Sequence, residues 1–190
     1  MHQCNLSGTY VLIFCIQQEY YVLNYPYENL LRGAIMRSVE ICAGAGGQAL
    51  GLELAGFEHT ALVEIDPDAC ATLRLNRPQW NVIEGDLHNF VGAPYRGIEL
   101  LAGGVPCPPF SKAGKQLGNN DERDLFPQAI RLVDEIRPKA VMLENVRGLL
   151  DSIFDDYRQN IIDDLKKLGY KAEWKLLNAS DYGVPQLRPR

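Results

Sequence analysis

Apolar positions in this chain fall into short blocks of two kinds. Blocks of strand length, rich in Val, Ile and Leu, cover Ser38 to Cys42, Thr60 to Val63, Asn81 to Ile83, Ile98 to Ala102, Ala140 to Leu143 and Lys171 to Leu177. Segments of helical length lie between several of them: Gln48 to Ala55, Pro67 to Asn76, Leu125 to Ile136 and Ile153 to Leu168. The punctuation agrees with these bounds. Asp66 before Pro67 is a good N-cap with proline at the first helical position, and Pro138 and Gly169 are sensible stops. Strand alternating with helix predicts an α/β fold, a doubly wound and mostly parallel sheet. The pattern assigns residues 36–190 to one domain. Residues 1–35 are rich in Tyr and Leu, with irregular apolar spacing. They read as an N-terminal extension, or as a short helix laid over the domain. Val11 to Ile16 is a short apolar run without a basic start, so no signal peptide is expected there.

The glycine-rich segments carry the chemistry. Ser38 to Gly51 reads as a strand, a turn containing Gly44, Gly46 and Gly47, and the start of a helix. Such a turn lets backbone approach a ligand closely. Twenty residues past Gly44, the next strand ends in Glu64-Ile65-Asp66, where a carboxylate can accept both hydroxyls of a ribose. A third acid, Asp86, stands before Leu87 after the following strand. The spacing predicts a nucleoside-binding domain and leaves a dinucleotide and S-adenosylmethionine both open. The fourth strand runs into Gly103-Gly104-Val105-Pro106-Cys107-Pro108-Pro109. Prolines on both sides exclude helix and stiffen the loop, so Cys107 is placed either as a nucleophile or, like most lone cysteines, as a small apolar residue. The fifth strand ends in Glu144-Asn145-Val146. An acid there is either a proton donor with a raised pKa or simply a solvated strand end. The last motif is Gln186-Leu187-Arg188-Pro189-Arg190, which in extended form puts Gln186, Arg188 and Arg190 on one side.

Taken in this order, from Arg37 to Arg190, these motifs resemble the DNA cytosine-5 methyltransferase family. The resemblance implies a Rossmann-like methyltransferase fold that uses S-adenosylmethionine, with no metal. It implies that Cys42, Gly44, Ala45, Gly46 and Gly47 line the methionine part of the cofactor, that Glu64 holds the ribose, that Ile65 packs on the adenine, and that Asp86 and Leu87 lie at its far side. It implies that Cys107 attacks carbon 6 of a flipped cytosine, that Glu144 bonds ring nitrogen 3 and the amino group, and that Arg188 and Arg190 bind the base oxygen and orient the loop. Two positions depart from the family pattern: Cys42 stands for the usual phenylalanine and Pro108 for the usual glutamine. The polar stretch from Gly114 to Asp124 matches the loop that closes over DNA in the family.

Composition changes the picture in three places. Five cysteines form no CxxC pair, which suits a reducing compartment and, with the resemblance, a bacterial cytoplasm. His2, His59 and His88 are expected at surfaces or turns. The net charge of -5 is unusual for a DNA enzyme. Lys112, Lys115 and Arg123 offer local positive charge, while Asp151, Asp155, Asp156, Asp163 and Asp164 read as a solvated helix face. Family members carry a target-recognition region and closing motifs after the arginine motif. The catalytic domain is therefore expected to be C-terminally incomplete. The implied partners are double-stranded DNA, a complementary chain that reads the target, and a second copy through an uncovered sheet edge. The implied setting is a restriction-modification system. A non-catalytic or split-enzyme subunit and an RNA cytosine methyltransferase are the other readings.

Overall fold

The computed structural model describes residues 12–17, 35–106, 124–183 and 185–186, the first of these as backbone. Seven strands form one sheet: β1 (Leu12–Gln17), β2 (Met36–Ile41), β3 (Phe57–Glu64), β4 (Val82–Glu84), β5 (Leu100–Gly103), β6 (Ala140–Leu143) and β7 (Tyr170–Lys175). Among the described residues four α-helices accompany them: α1 (Gly47–Leu54), α2 (Pro67–Asn76), α3 (Phe126–Ile136) and α4 (Asp155–Lys167). The strand order is β4-β3-β2-β5-β6-β1-β7. Pairs β3–β4, β2–β3, β2–β5 and β5–β6 are parallel, and β1 is antiparallel to both neighbours. The fold class is the α/β, doubly wound, mostly parallel arrangement that the pattern predicts.

Strand alternation builds the two layers. Val39 and Ile41 of β2 join Leu101, Val141 and Leu143 under α3 and α4, whose Ala129, Leu132, Val133, Ile161 and Leu165 complete the larger core. The opposite face carries Leu62 against Ala49 and Leu73, from α1 and α2, and Leu100 and Ala102 against Leu52. Asp66 caps α2 by accepting the Ala69 N–H at 2.9 Å, with Pro67 in the first turn. Arg137 ends α3 in the left-handed region at φ 49°, just before Pro138. Its guanidinium donates to the Leu168 carbonyl at 3.1 Å and so ties the ends of α3 and α4 together.

Three expectations need correction. Residues 12–17 are a strand inside the sheet, not a short helix over the domain; an irregular apolar spacing hid a strand whose partners are more than a hundred residues away. His59 is not a surface or turn residue. It lies half-buried on β3, with Nδ1 2.9 Å from the Ser38 hydroxyl and Nε2 2.8 Å from the Ala49 carbonyl, and burial lowers its pKa. The expected helix from Ile153 starts as a single 3₁₀ turn, Ser152–Phe154, and becomes α only at Asp155.

Candidate functional site

The sheet winds in opposite directions from β2. Strands β3 and β4 follow on one side and β5 and β6 on the other, so the order reverses between β2 and β5. In open α/β sheets ligands bind at the carboxyl ends of the strands beside such a switch point. The glycine-rich turn leaves β2 there, and the loop toward Cys107 leaves β5 there. The strand ends are pressed together: a Cβ on Gly103 would lie 2.5 Å from Ile41 Cγ1.

Glu64, at the end of β3, organises the first half of the site. One carboxylate oxygen accepts the Gly44 N–H at 2.6 Å; the other accepts the N–H groups of Ile65 and Asp66 at 2.8 and 2.9 Å. A carboxylate offers about four acceptor positions, so one remains for a ligand hydroxyl. Beside it Ile65 presents an apolar surface that is 62% exposed. Asp86 accepts the His88 N–H at 2.8 Å and stands 2.7 Å from the same residue's ring; these bonds hold its carboxyl below the usual range. Cys42 has φ 53°, uncommon for a non-glycine residue. Burial, with Glu64 and Glu40 nearby, pushes its thiol up to about 12. It is a neutral thiol and no nucleophile.

A cavity of about 270 Å³ lies among these groups, lined by Cys42, Val63, Glu64, Ile65, Gly85, Asp86, Leu87, Gly104, Pro106 and Leu125. Five residues predicted for the cofactor (Cys42, Glu64, Ile65, Asp86 and Leu87) share it. The glycine turn contributes differently. Gly44, Ala45, Gly46 and Gly47 are not part of the cavity wall; Gly44 binds Glu64, and Gly46, at φ 88°, packs on Leu73 and Trp80. Two carboxylates, an exposed apolar side chain and a glycine-lined approach fit a nucleoside.

The second half is built by β5 and β6. The Glu144 N–H donates to the Gly103 carbonyl at 2.8 Å, and its carboxylate lies against Gly104. Asn145, 5% exposed, donates to the Val105 carbonyl at 2.8 Å while its Oδ1 accepts the Val146 N–H at 2.8 Å. Asn145 therefore fixes Glu144 relative to the backbone two residues before Cys107. The Leu125 N–H reaches the Pro106 carbonyl at 3.4 Å, which closes the base of the segment carrying Cys107. Cys107, Arg188 and Arg190 themselves lie outside the described residues, as do Lys112, Lys115 and Arg123.

Sequence reasoning missed two residues here. Asn145 stood inside a quoted motif without a role. Arg131 carried no motif at all, yet all its donors are used. Nε donates to Gln128 at 2.7 Å, Nη1 to Glu135 at 2.5 Å and to the Phe90 carbonyl at 3.1 Å, and Nη2 to the Leu87 and Phe90 carbonyls at 2.9 and 3.1 Å. Glu135 in turn accepts the Gly92 N–H at 2.7 Å. Arg131 thus clamps the loop that carries Asp86 and Leu87 onto α3. Only the i, i+4 spacing of Arg131 and Glu135 was visible beforehand.

The family model for C-5 cytosine-specific DNA methylase matches residues 36–190. The chain belongs to this family. It is 72% identical over 153 residues to the type II methyltransferase M.NgoMIV of Neisseria gonorrhoeae, a match that covers 80% of the chain and 49% of that relative. It is 60% identical to M.NaeI of Lentzea aerocolonigenes over 80% of the chain and 38% of that protein. The chain thus spans half or less of the length of these curated relatives. Among solved structures, a DNA modification methyltransferase encoded within an E. coli prophage superposes with a TM-score of 0.64 at 26% identity, covering 81% of this chain and 44% of that one.

Proposed function

We propose that residues 36–190 are the catalytic domain of a DNA cytosine-5 methyltransferase of a bacterial restriction-modification system, working in the cytoplasm on double-stranded DNA. The observation that carries this reading is the shared cavity wall. Gly104 and Pro106, which lead to Cys107, line the same cavity as Glu64 and Asp86. A nucleophile loop and a nucleoside site therefore meet at one switch point.

S-adenosylmethionine, when bound, supplies an electrophilic methyl group. Glu64 would take a ribose hydroxyl on its remaining acceptor position, Ile65 would cover one face of the adenine, and Asp86 with Leu87 would close its far edge. Cys42 and the turn Gly44–Gly47 would border the methionine portion. The remaining chemistry belongs to the chain and the base. The Cys107 thiolate adds to carbon 6 of an extruded cytosine, and the ring electrons move onto carbon 5, which becomes nucleophilic. Glu144 holds a proton at ring nitrogen 3 and bonds the amino group, while Arg188 and Arg190 bind the base oxygen and stabilise charge that develops there. After methylation, loss of the carbon 5 proton expels the thiolate and restores the ring. Both cysteines with described side chains, Cys42 and Cys70, have thiol pKa values raised by burial, so neither is suited to the nucleophile's role.

Target reading, from a complementary chain or further sequence, and self-association belong to the same proposal. The length of the relatives supports the first. The test is covalent trapping on duplex DNA containing 5-fluorocytosine, with S-adenosylmethionine present. The wild-type chain is expected to give a denaturant-stable adduct that Cys107→Ser lacks. Calorimetry run in parallel separates the outcomes. Cofactor binding without trapping would support the split-enzyme reading; loss of both would sink the methyltransferase reading for this chain.

A further inference from the structure

The glycine turn between β2 and α1 has few restraints of its own. Cys42, Gly44 and Gly46 have positive φ, at 53°, 54° and 88°. Gly46 is the N-cap of α1 and offers no side chain to cap it. Glycine is conformationally permissive, so the shape of such a turn is imposed by what packs around it. On the cavity side the restraint is Glu64, which accepts the Gly44 N–H at 2.6 Å. Away from the cavity it is Leu73 and Trp80: a Cβ on Gly46 would lie 2.6 Å from Leu73 Cδ2 and 3.3 Å from Trp80 Cζ3. Trp80 comes from the loop between α2 and β4 and does not line the cavity.

We propose that Trp80 is a positioning residue for the cofactor: its indole braces the glycine turn from behind and so keeps Gly44 within hydrogen-bond reach of Glu64. The inference rests on the reading of the cavity as an S-adenosylmethionine site. Trp80 is itself held from several elements. The His59 ring of β3 meets it edge-on, with centroids 5.0 Å apart and planes at 79°. The Arg77 guanidinium carbon lies 5.7 Å from the indole centroid, within the roughly 6 Å over which a cation is drawn to a ring face. Both holders are anchored in turn. Arg77 Nε stands 3.2 Å from each carboxylate oxygen of Glu53, on α1. His59 reaches the Ser38 hydroxyl of β2 at 2.9 Å and the Ala49 carbonyl of α1 at 2.8 Å. The Trp80 N–H donates to the Arg77 carbonyl at 3.0 Å, and the next residue, Asn81, accepts the Leu62 N–H at 2.9 Å. These contacts leave the ring little freedom, and the turn rests on its outer edge. With the indole removed, Gly46 can recede into the vacated space and draw Gly44, two residues earlier, away from Glu64. A charge-assisted hydrogen bond weakens steeply with such a shift, and the Glu64 carboxylate that faces the ribose loses one of its three backbone anchors. A residue that never touches the ligand therefore sets the geometry of one that does.

The test separates positioning from packing and uses the full chain. Calorimetry with S-adenosylmethionine and urea unfolding are run on the wild type, Trp80→Ala and Trp80→Phe. Leu165→Ala, in the core on the other face of the sheet, serves as a destabilised control. Trp80→Ala is expected to weaken binding about tenfold, whereas Leu165→Ala, although less stable, binds like the wild type. Trp80→Phe keeps an aromatic ring but loses the outer edge of the indole, and its affinity should fall between. The Gly44 amide proton gives a second readout that needs no cofactor. Held by a carboxylate at 2.6 Å, it is expected to resonate downfield in the wild type, to move upfield in Trp80→Ala and to stay in place in Leu165→Ala. Equal affinity in the wild type and both Trp80 variants, or an unmoved Gly44 resonance, would overturn the proposal. Should Trp80→Ala fail to fold, Trp80→Phe decides on the same two readouts. A wild-type chain that binds no S-adenosylmethionine would instead sink the cofactor reading, and the Gly44 resonance would still decide whether Trp80 sets the turn.

Discussion

Glu40 is the most unusual single residue in the structure. It is 1% exposed on β2, and neither carboxylate oxygen has a hydrogen-bond partner among the described residues. Burial raises its pKa from 4.5 to about 8. The folded state therefore holds a proton that the unfolded chain has lost. Stability is fully present below pH 4.5 and declines as pH rises toward 8, at up to roughly 1.4 kcal/mol per pH unit. Glu40→Gln is expected to flatten this decline and to raise the thermal midpoint at pH 8.5, which melting curves between pH 5 and 9 would show. The glycine turn gives a second prediction at this scale. A Cβ on Gly46 would sit 2.6 Å from Leu73 Cδ2 at φ 88°, whereas one on Gly47 meets nothing within 4 Å. Gly46→Ala should cost about 1–3 kcal/mol in urea unfolding; Gly47→Ala should be neutral or stabilising by up to about 1 kcal/mol. At this scale much was legible, because acids and glycines at strand ends have few other uses. Glu40 was not, since burial of one acid is decided by whatever packs over it.

Among the elements, the loop from Gly85 to Gly92 depends on α3. Arg131 binds two of its carbonyls and Glu135 binds its Gly92 N–H. Arg131→Met is expected to weaken S-adenosylmethionine binding about tenfold in calorimetry, with the circular dichroism of the fold retained. Arg131→Lys should recover little, because one ammonium cannot span two carbonyls and a carboxylate. Equal affinity in all three proteins would show that the clamp does not position the cofactor edge. Helix α2 was predicted over the bounds it adopts, since Asp66 and Pro67 mark its start locally. The antiparallel strand β1 escaped prediction because its ladder partners are remote.

Over the whole molecule, charge and sheet closure set the behaviour. With a net charge of -5, the phosphate contacts of the proposed DNA complex would rest on a few local cations. The logarithm of DNA affinity is expected to fall with the logarithm of salt at a slope shallower than about -3, as for two or three neutralised phosphates. A slope near -8 in a fluorescence anisotropy titration would reveal a basic surface that these residues do not supply. The described helices include none long and apolar enough to cross a membrane. The sequence by itself determined the doubly wound, mostly parallel class and the acids and glycines that end its strands. Those follow from local periodicity and from motifs carried on strand ends. Only the tertiary structure decided that Glu64 ties the glycine turn to β3, that Asn145 and Arg131 hold the two loops, and that residues 12–17 enter the sheet. Each of these rests on contacts between segments far apart in the chain, where hydrogen-bond geometry and packing, not local pattern, select the partner.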